Sequence, residues 1–386
     1  MFAQQGNQLN KKRAISLDLA RGLMLLLIAL AHAPLYLYGS QPGIMSRPES
    51  VHFLDNIINS FGELFIDNRA RPLFAVIFGY GLVLMFESQL SKGKNIKEAK
   101  RTIRKRSYYL ILFGMILAVF IGGQDILMAY GVAGLLVGWL LSRDHKVFIS
   151  ATVIVTVLFL TYLPFLWGFI LQEIGSYGFG TEFSQNDNYL QLLLEAALYF
   201  PIVPIFIHLL FPILPSVLIG IWFGRKHLLT EAQKQDKKLK RIASFGITIS
   251  ILGALPIVLI DEVWEPSLFL TGFIYGIQII TGTAGGIGYA ALFGMIGNRL
   301  KNPNRITTSL TALGKRSLTF FVLNETLLVL LLSPVAFGLG DRLSNTGVTV
   351  IAIIVWGLSV ILATILEKHQ MKGPLETLMR SLVYNR

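Results

Sequence analysis

Three side chains in one apolar run have the types and spacing for chemistry inside a membrane. The run is Asp18 to Tyr38, DLARGLMLLLIALAHAPLYLY, long enough to span a bilayer, and its strongly polar members are Asp18, Arg21 and His32. Eleven residues separate Arg21 from His32, which at about 100° per residue is three turns plus about 20°. Asp18 lies one turn earlier, so all three share a face. Ionisable groups in lipid are tolerated where they point into a bundle or a wet cavity, so this face is expected to look inward. The helical rise puts His32 about 16 Å from Arg21 along the axis, at opposite depths of one cavity. Histidine changes charge near neutral pH, which suits acid–base or ligand chemistry.

Other ionisable residues join the list from separate segments. Arg69 and Arg71 stand just before the second apolar run, Asp125 sits in a tight turn, and Asn324 and Glu325 fall in the middle of a late run. Each also has a structural reading. Asp18 and Arg21 can simply pair with one another, and Arg69 and Arg71 can anchor a helix end to headgroups. Glu325 can hold helices together through an arginine, His32 can bond to a backbone carbonyl, and His208 can serve packing alone.

The elements that must position these groups are membrane helices. Of 386 residues 53% are hydrophobic and 15% charged, and mean hydropathy is +0.61, values of a polytopic membrane protein. The net charge of +12 sits in short segments between apolar runs, where it reports topology and headgroup contact, so nucleic acid is set aside as a partner. The absence of cysteine excludes disulfides, thiolate metal sites and a cysteine nucleophile. The histidines are too scattered for a metal site.

Ten crossings are expected, at about 18–38, 72–86, 107–122, 126–141, 147–171, 189–223, 242–260, 267–297, 317–337 and 348–366. The segment SKGKNIKEAKRTIRKR (91–106) carries eight Lys and Arg against Glu98 and is placed in the cytoplasm as a loop. The remaining charges follow: Lys11, Lys12 and Arg13, Arg143 and Lys146, 225–241, Arg299, Lys301 and Arg305, and a tail from Glu367 to Arg386 lie inside, whereas Glu173, Glu182 and Asp187, and Asp261, Glu262 and Glu265, lie outside. Both termini are then cytoplasmic. The outer loop 39–71 contains an amphipathic stretch, Val51 to Ile66, suited to an interfacial helix. Four prolines within 189–223 predict a kinked or broken helix, and the glycines of TGTAGGIGY (281–289) predict a break or a very close neighbour. The fold class is an all-α bundle forming one transmembrane domain over 1–386.

Several motifs together resemble a known family. Asp18-x-x-Arg21-Gly22, Arg71-Pro-Leu-Phe74 running into Phe78-Gly79-Tyr80-Gly81, IGIWFGR (219–225), GKRSLT (314–319), and Gly373-Pro374-Leu375-Glu376 followed by Arg380 look like the YeiB-like family of bacterial membrane proteins. The resemblance covers nearly the whole chain. That family is similar to the wider transmembrane acyltransferases, including sugar O-acetylases and the lysosomal heparan glucosaminide acetyltransferase. In the O-acetylases an arginine, ten residues and a histidine mark the first span, and Arg21 and His32 stand in that relation here. Many YeiB-like proteins have asparagine at the position of His32; this member has the residue the enzymes use.

The resemblance implies an acyltransferase of the bacterial inner membrane. Acyl-CoA, expected as acetyl-CoA, would be the donor, its phosphates met by Arg21, Arg316 or the 92–106 segment. His32 would serve as general base or transient acyl carrier toward an acceptor arriving from outside. Arg71 or Asn324 would steady the oxyanion, Glu325 would join the catalytic set, and Arg69 and Asp125 would contact substrate. Asp18, Gly79, Gly81, Gly373 and Pro374 are assigned structural roles. The expected partners are the lipid bilayer, acyl-CoA, the acceptor and a second copy of the chain, with no metal. A transporter is the alternative, resting on broken helices at 189–223 and 267–297 and on the mid-membrane Glu325.

Overall fold

A computed structural model describes residues 2–179, 183–260, 263–300 and 304–384, with side chains from residue 15 onward except 232–234 and 298. The charges expected at Lys11 to Arg13, Glu182, Asp261, Glu262, Lys301 and Arg386 lie outside what is described. Among the described residues the regular structure is helical, with three isolated β-bridges. In chain order the helices are α1 (Phe2–His32), α2 (Phe53–Phe65), α3 (Ala70–Ser91), α4 (Ile96–Ile116), α5 (Leu127–Val137), α6 (His145–Ile174), α7 (Tyr189–Tyr199) and α8 (Val203–Leu210). They continue as α9 (Leu214–Arg225), α10 (Ala232–Leu259), α11 (Leu268–Arg299), α12 (Arg305–Lys315), α13 (Ser317–Leu332), α14 (Asn345–Lys368) and α15 (Pro374–Tyr384).

Six helical stretches are long and apolar enough to cross a membrane, seven if the bent α7–α8 pair counts as one. This is a multi-pass membrane protein. The most apolar of these stretches are also the least buried within the protein: 22% of the α6 segment, 28% of α10 and 28% of α14, against 61% of the stretch through α1. Lipid is an apolar solvent, so the greasiest helices form the outer wall while α1 and α3, which carry polar side chains, take the centre.

Two helix crossings at that centre depend on glycine. On α3 and α9 the relation is reciprocal, since a Cβ on Gly79 would strike the carbonyl of Val217, and one on Gly220 would strike that of Val76. On α1 and α12 it is reciprocal again, Gly22 lying against the carbonyl of Leu310 and Gly314 against that of Asp18. Backbones this close gain dispersion contacts that a larger side chain would forbid. Gly81 differs from expectation: its nearest neighbour is the Arg21 guanidinium, so it leaves room for a side chain rather than for a helix.

Three segments depart from the sequence reading. The basic stretch expected as a loop is helical from Ile96, because Asn95 caps the Glu98 N–H and Glu98 returns a bond to the Asn95 N–H, a complete capping box. The prolines of 189–223 do break that run, with a 68° bend between α7 and α8 and a separate α9. The glycines of α11 break nothing: the helix is continuous, and Gly282 and Gly286 admit the backbone of Asn68, Arg69 and Leu73 at the start of α3.

The amphipathic α2 forms where expected. It exposes Phe53, Leu54, Ile57 and Phe61 and buries Asp55. One Asp55 oxygen accepts from the Val51 and His52 N–H groups, and the other from the N–H and hydroxyl of Thr346, tying α2 to the first turn of α14. At the other end of the bundle Glu376 of α15 accepts from the Leu318 and Thr319 N–H groups and the Thr319 hydroxyl, capping α13, and Thr319 accepts from the Leu375 N–H. Pro374 opens α15 as its first residue, and Gly373 leaves the space that the Glu376 carboxylate fills.

The α3–α9 crossing sets the first expected outcome. Gly220→Val should destabilise the protein by about 1–3 kcal/mol through overpacking, seen as a lower unfolding midpoint in detergent. Gly357→Ala, on an α14 position with open space around it, should be neutral or raise the midpoint slightly.

Candidate functional site

The site is built on the last turn of α1. The α-helix stops at His32 and Pro34 starts a tighter 3-10 turn, Ala33–Tyr36, which brings Tyr36 alongside His32. Both meet Glu325 of α13. His32 Nδ1 lies 2.8 Å from Glu325 Oε1, and the Tyr36 hydroxyl donates to Oε2 at 2.8 Å. Glu325 has no exposed surface and His32 is 8% exposed. The Tyr36 oxygen in turn accepts from the Gln124 N–H at 2.7 Å. Gln124 reaches it because α4 ends in a π-helical turn, Leu117–Ile121, closed by Gly122 in the left-handed conformation.

This wiring selects one nitrogen of His32. A carboxylate held at Nδ1 favours the tautomer with the proton there, leaving the Nε2 lone pair for a reactant and fixing the plane of the ring.

His32 lines a cavity of about 390 Å³, the outer one in the orientation expected from loop charges, whose wall also includes Asn68, Arg71, Asp125, Phe211 and Tyr275. Arg71 stacks 3.9 Å above the Phe211 ring and donates to Asn68 Oδ1 at 3.2 Å. Asp125 accepts from the Leu127 and Met128 N–H groups at 2.8 Å each, so it caps α5 while facing the cavity. Arg21 lines a second cavity of about 600 Å³, the inner one in that expected orientation, together with Lys92, Arg106, Lys315 and Arg380. Along α1 its wall passes from Arg21 through Met24 and Leu25 to Ile28. Ile28 and Ile126 line both cavities. Where helix periodicity led to the expectation of a single cavity, Arg21 and His32 line two adjoining ones, with Ile28 and Ile126, the septum residues, in the wall of both.

The structure separates the sequence candidates. Glu325 joins His32, and Arg71 and Asp125 face the same cavity. Asn324 does not: it is buried against α14, where its Oδ1 accepts from the Ser359 hydroxyl at 2.6 Å, so it stands outside the catalytic grouping proposed for it. Arg69 is 1% exposed and donates to the carbonyls of Glu63, Asp67 and Ser250, which ties α2, α3 and α10 together instead of contacting substrate. Arg316 is 5% exposed and spends its donors on Glu367 and the carbonyls of Ala312 and Met371; Lys315 lines the inner cavity in its place. Asp18 pairs with Arg21 at 2.9 Å. His208 meets the Ala129 carbonyl at 3.1 Å.

Tyr36, Asn68, Lys315, Ile28 and Ile126 were missed as site residues, whereas Lys92 and Arg106 belong to the 92–106 segment expected to meet phosphate. Tyr36 had a visible signal, because four residues after His32 it shares that face of the helix. Asn68 had none, since its place depends on its backbone, at φ 58°, just ahead of α3.

Comparison with known proteins adds no activity. Residues 223–386 match the family described as "Protein of unknown function (DUF418)". The "Uncharacterized protein YxaH" of Bacillus subtilis (strain 168) is 24% identical, and the likeness covers 97% of this chain and 95% of that protein. The "Uncharacterized 39.9 kDa protein in amylase 3'region" of Bacillus acidopullulyticus is 23% identical over the same shares. The chain is thus similar to DUF418 proteins through its C-terminal part and to these two Bacillus proteins along nearly its whole length.

Proposed function

We propose that the protein transfers an acyl group, expected as acetyl, from cytoplasmic acyl-CoA to an acceptor that arrives from the other side of a bacterial inner membrane. The observation that carries this reading is the pair of cavities meeting at Ile28 and Ile126, basic on the Arg21 side and holding an oriented histidine on the other. In the proposed orientation the chain crosses ten times with both termini cytoplasmic. The short helices α5, α9 and α13 and the weakly apolar α4 complete the count beyond the long spans.

The chemistry follows from the residues. Phosphates of the donor meet Arg21, Lys92, Arg106, Lys315 and Arg380, and the thin thioester arm runs along Met24 and Leu25 to the septum. The acceptor hydroxyl or amine gives its proton to His32 Nε2 as its oxygen or nitrogen attacks the thioester carbonyl. The tetrahedral intermediate then collapses with cleavage of the C–S bond, and the proton passes to the departing thiolate. Glu325 steadies the imidazolium formed in between, as a buried carboxylate does for a histidine base. Acylation of His32 itself, with the acceptor attacking second, uses the same atoms.

Transport is the second reading, favoured by cavities reached from two ends and by the bend between α7 and α8. It loses the support of a broken α11, which is continuous.

Calorimetric titration of acetyl-CoA into the purified protein should give saturable binding that weakens in Arg21→Ala. His32→Ala should keep that binding, at an unfolding midpoint lowered because buried Glu325 loses one of its hydrogen bonds, while transfer falls by about 10²–10⁴-fold, the usual size of a general-base contribution. Failure of folded wild type to bind acetyl-CoA or longer acyl-CoAs would favour transport. Orientation has its own check. A cysteine replacing Lys97, the sole thiol in such a chain, should resist impermeant maleimide in sealed cells, and ready labelling would invert the proposed topology.

A further inference from the structure

The arginines of this protein sort into two groups by what holds them. Arg47 is clamped by both oxygens of Asp67, at 2.7 and 3.0 Å. Arg21 has Asp18, Arg316 has Glu367 and two carbonyls, Arg69 has three carbonyls, and Arg225 donates to the carbonyls of Leu140, Leu141 and Arg143. Of the cations lining the two cavities, Lys92, Arg71, Arg106 and Arg380 have no ion-pair partner among the described residues. Arg106 meets the Met85 sulfur and the Phe78 ring on the inner side, and Arg71 meets one amide oxygen and the Phe211 ring on the outer side.

Arg71 is the more telling of the two. Arg106 is one of five cations around a cavity to which a polyphosphate donor has been assigned, whereas Arg71 stands alone. No carboxylate among the described residues lies within ion-pair distance of it. The acids around its cavity are committed: Asp67 to Arg47, Asp125 to the first N–H groups of α5, and Glu325 to His32 and Tyr36. Tyr130 and Tyr275, which lie near it, carry no charge at neutral pH. An arginine at membrane depth is costly without a counter-charge, and guanidinium cannot shed its proton. A transient oxyanion, present only while a bond is being made, leaves that cost unmet for the rest of the cycle. A permanent anion on the ligand meets it throughout.

We infer that the ligand of the outer cavity, the acceptor on the reading above, carries an anionic group, a phosphate or carboxylate, which Arg71 holds while His32 faces the group to be acylated. The naming of this ligand as acceptor rests on the transfer reading; the anion site itself does not. The face of Arg71 away from Phe211 offers the planar fork that matches two oxygens of such a group.

The test is calorimetry on the full chain in uncharged maltoside micelles, with no acyl donor present. The titrants are glycerol 3-phosphate, glucuronate and dihexanoyl phosphatidylglycerol, with glycerol and glucose as neutral counterparts. At least one anion should bind saturably and its neutral counterpart should not. Arg71→Gln should weaken that binding by about tenfold or more, and Arg71→Lys by less.

Asn68→Asp is the second variant. Its backbone conformation is one that Asp tolerates, and it sets a carboxylate 3.2 Å from the guanidinium. It should abolish anion binding with Arg71 intact. Binding of the phospholipid alone would point to a headgroup as the source, and binding of the small anions to a soluble compound. Equal binding of neutral counterparts, no binding of any anion, or anion binding unchanged in variants with wild-type unfolding midpoints would each overturn the inference. Anion binding through Arg71 in a protein that ignores acyl-CoA would leave this site standing while the transfer reading fell.

Discussion

A carboxylate with no exposed surface fixes the centre of this protein. Glu325 sits where ionised groups are most costly, and it is tolerated because His32 and Tyr36 each give it a hydrogen bond from the end of α1. Those bonds impose geometry on the rest. The α-helix must stop at His32 so that Tyr36 swings to the second oxygen, and α4 must end in a π-turn so that the Gln124 N–H reaches Tyr36. Removing one partner of such a buried set costs far more than the pair contributes net. The arrangement therefore specifies one packing of α1 against α13 and the 122–126 turn.

The same rule sorts the cations. In lipid a guanidinium has few acceptable surroundings, and Arg21, Arg47, Arg69, Arg225 and Arg316 have found a carboxylate or carbonyl oxygens. Arg69 and Arg316 illustrate the structural use. Their side chains donate to backbone carbonyls, near the ends of α2 and α12 for Glu63 and Ala312, in mid-α10 for Ser250 and after α14 for Met371, and so join segments distant in sequence. Arg71 and Arg106 illustrate the other use, with guanidinium groups left toward cavities on opposite sides of the septum.

Much of this was legible in the sequence, and the limits are physical. Hydropathy located the long spans because each must bury its own backbone in lipid. Helical periodicity put Asp18, Arg21 and His32 on one face, and all three do face inward. Periodicity also held information left unused. Arg69 and Arg71 are two residues apart, about 200° around a helix, so only one of them can face a given cavity. Asn324 and Glu325 differ by about 100°, enough to send one toward α14 and the other toward α1. What periodicity cannot supply is the partner across the bundle. The pairing of His32 with Glu325 joins residues 293 apart in sequence, and it depends on a reciprocal glycine crossing of α1 and α12 whose closeness no single segment encodes. The division of one cavity into two was illegible for a related reason: Ile28 reads as any core residue until Ile126 is seen to meet the same space.

That septum bears on what kind of process the protein supports. Ile28 is 2% exposed and sits one helical turn below His32, inside the continuous part of α1, and Ile126 is 5% exposed beside the Asp125 cap of α5. A transporter must move both walls far enough for a whole cargo to cross, which means breaking the α5 cap or the Glu325 bonds that hold the end of α1. Group transfer asks for much less. A thioester needs only to bring its carbonyl carbon past two isoleucine side chains, which rotamer changes can admit while the backbone stays in place. On the proposed transfer reading, Ile28 and Ile126 would let a small acyl group past while the bulk of donor and acceptor stays in its own cavity.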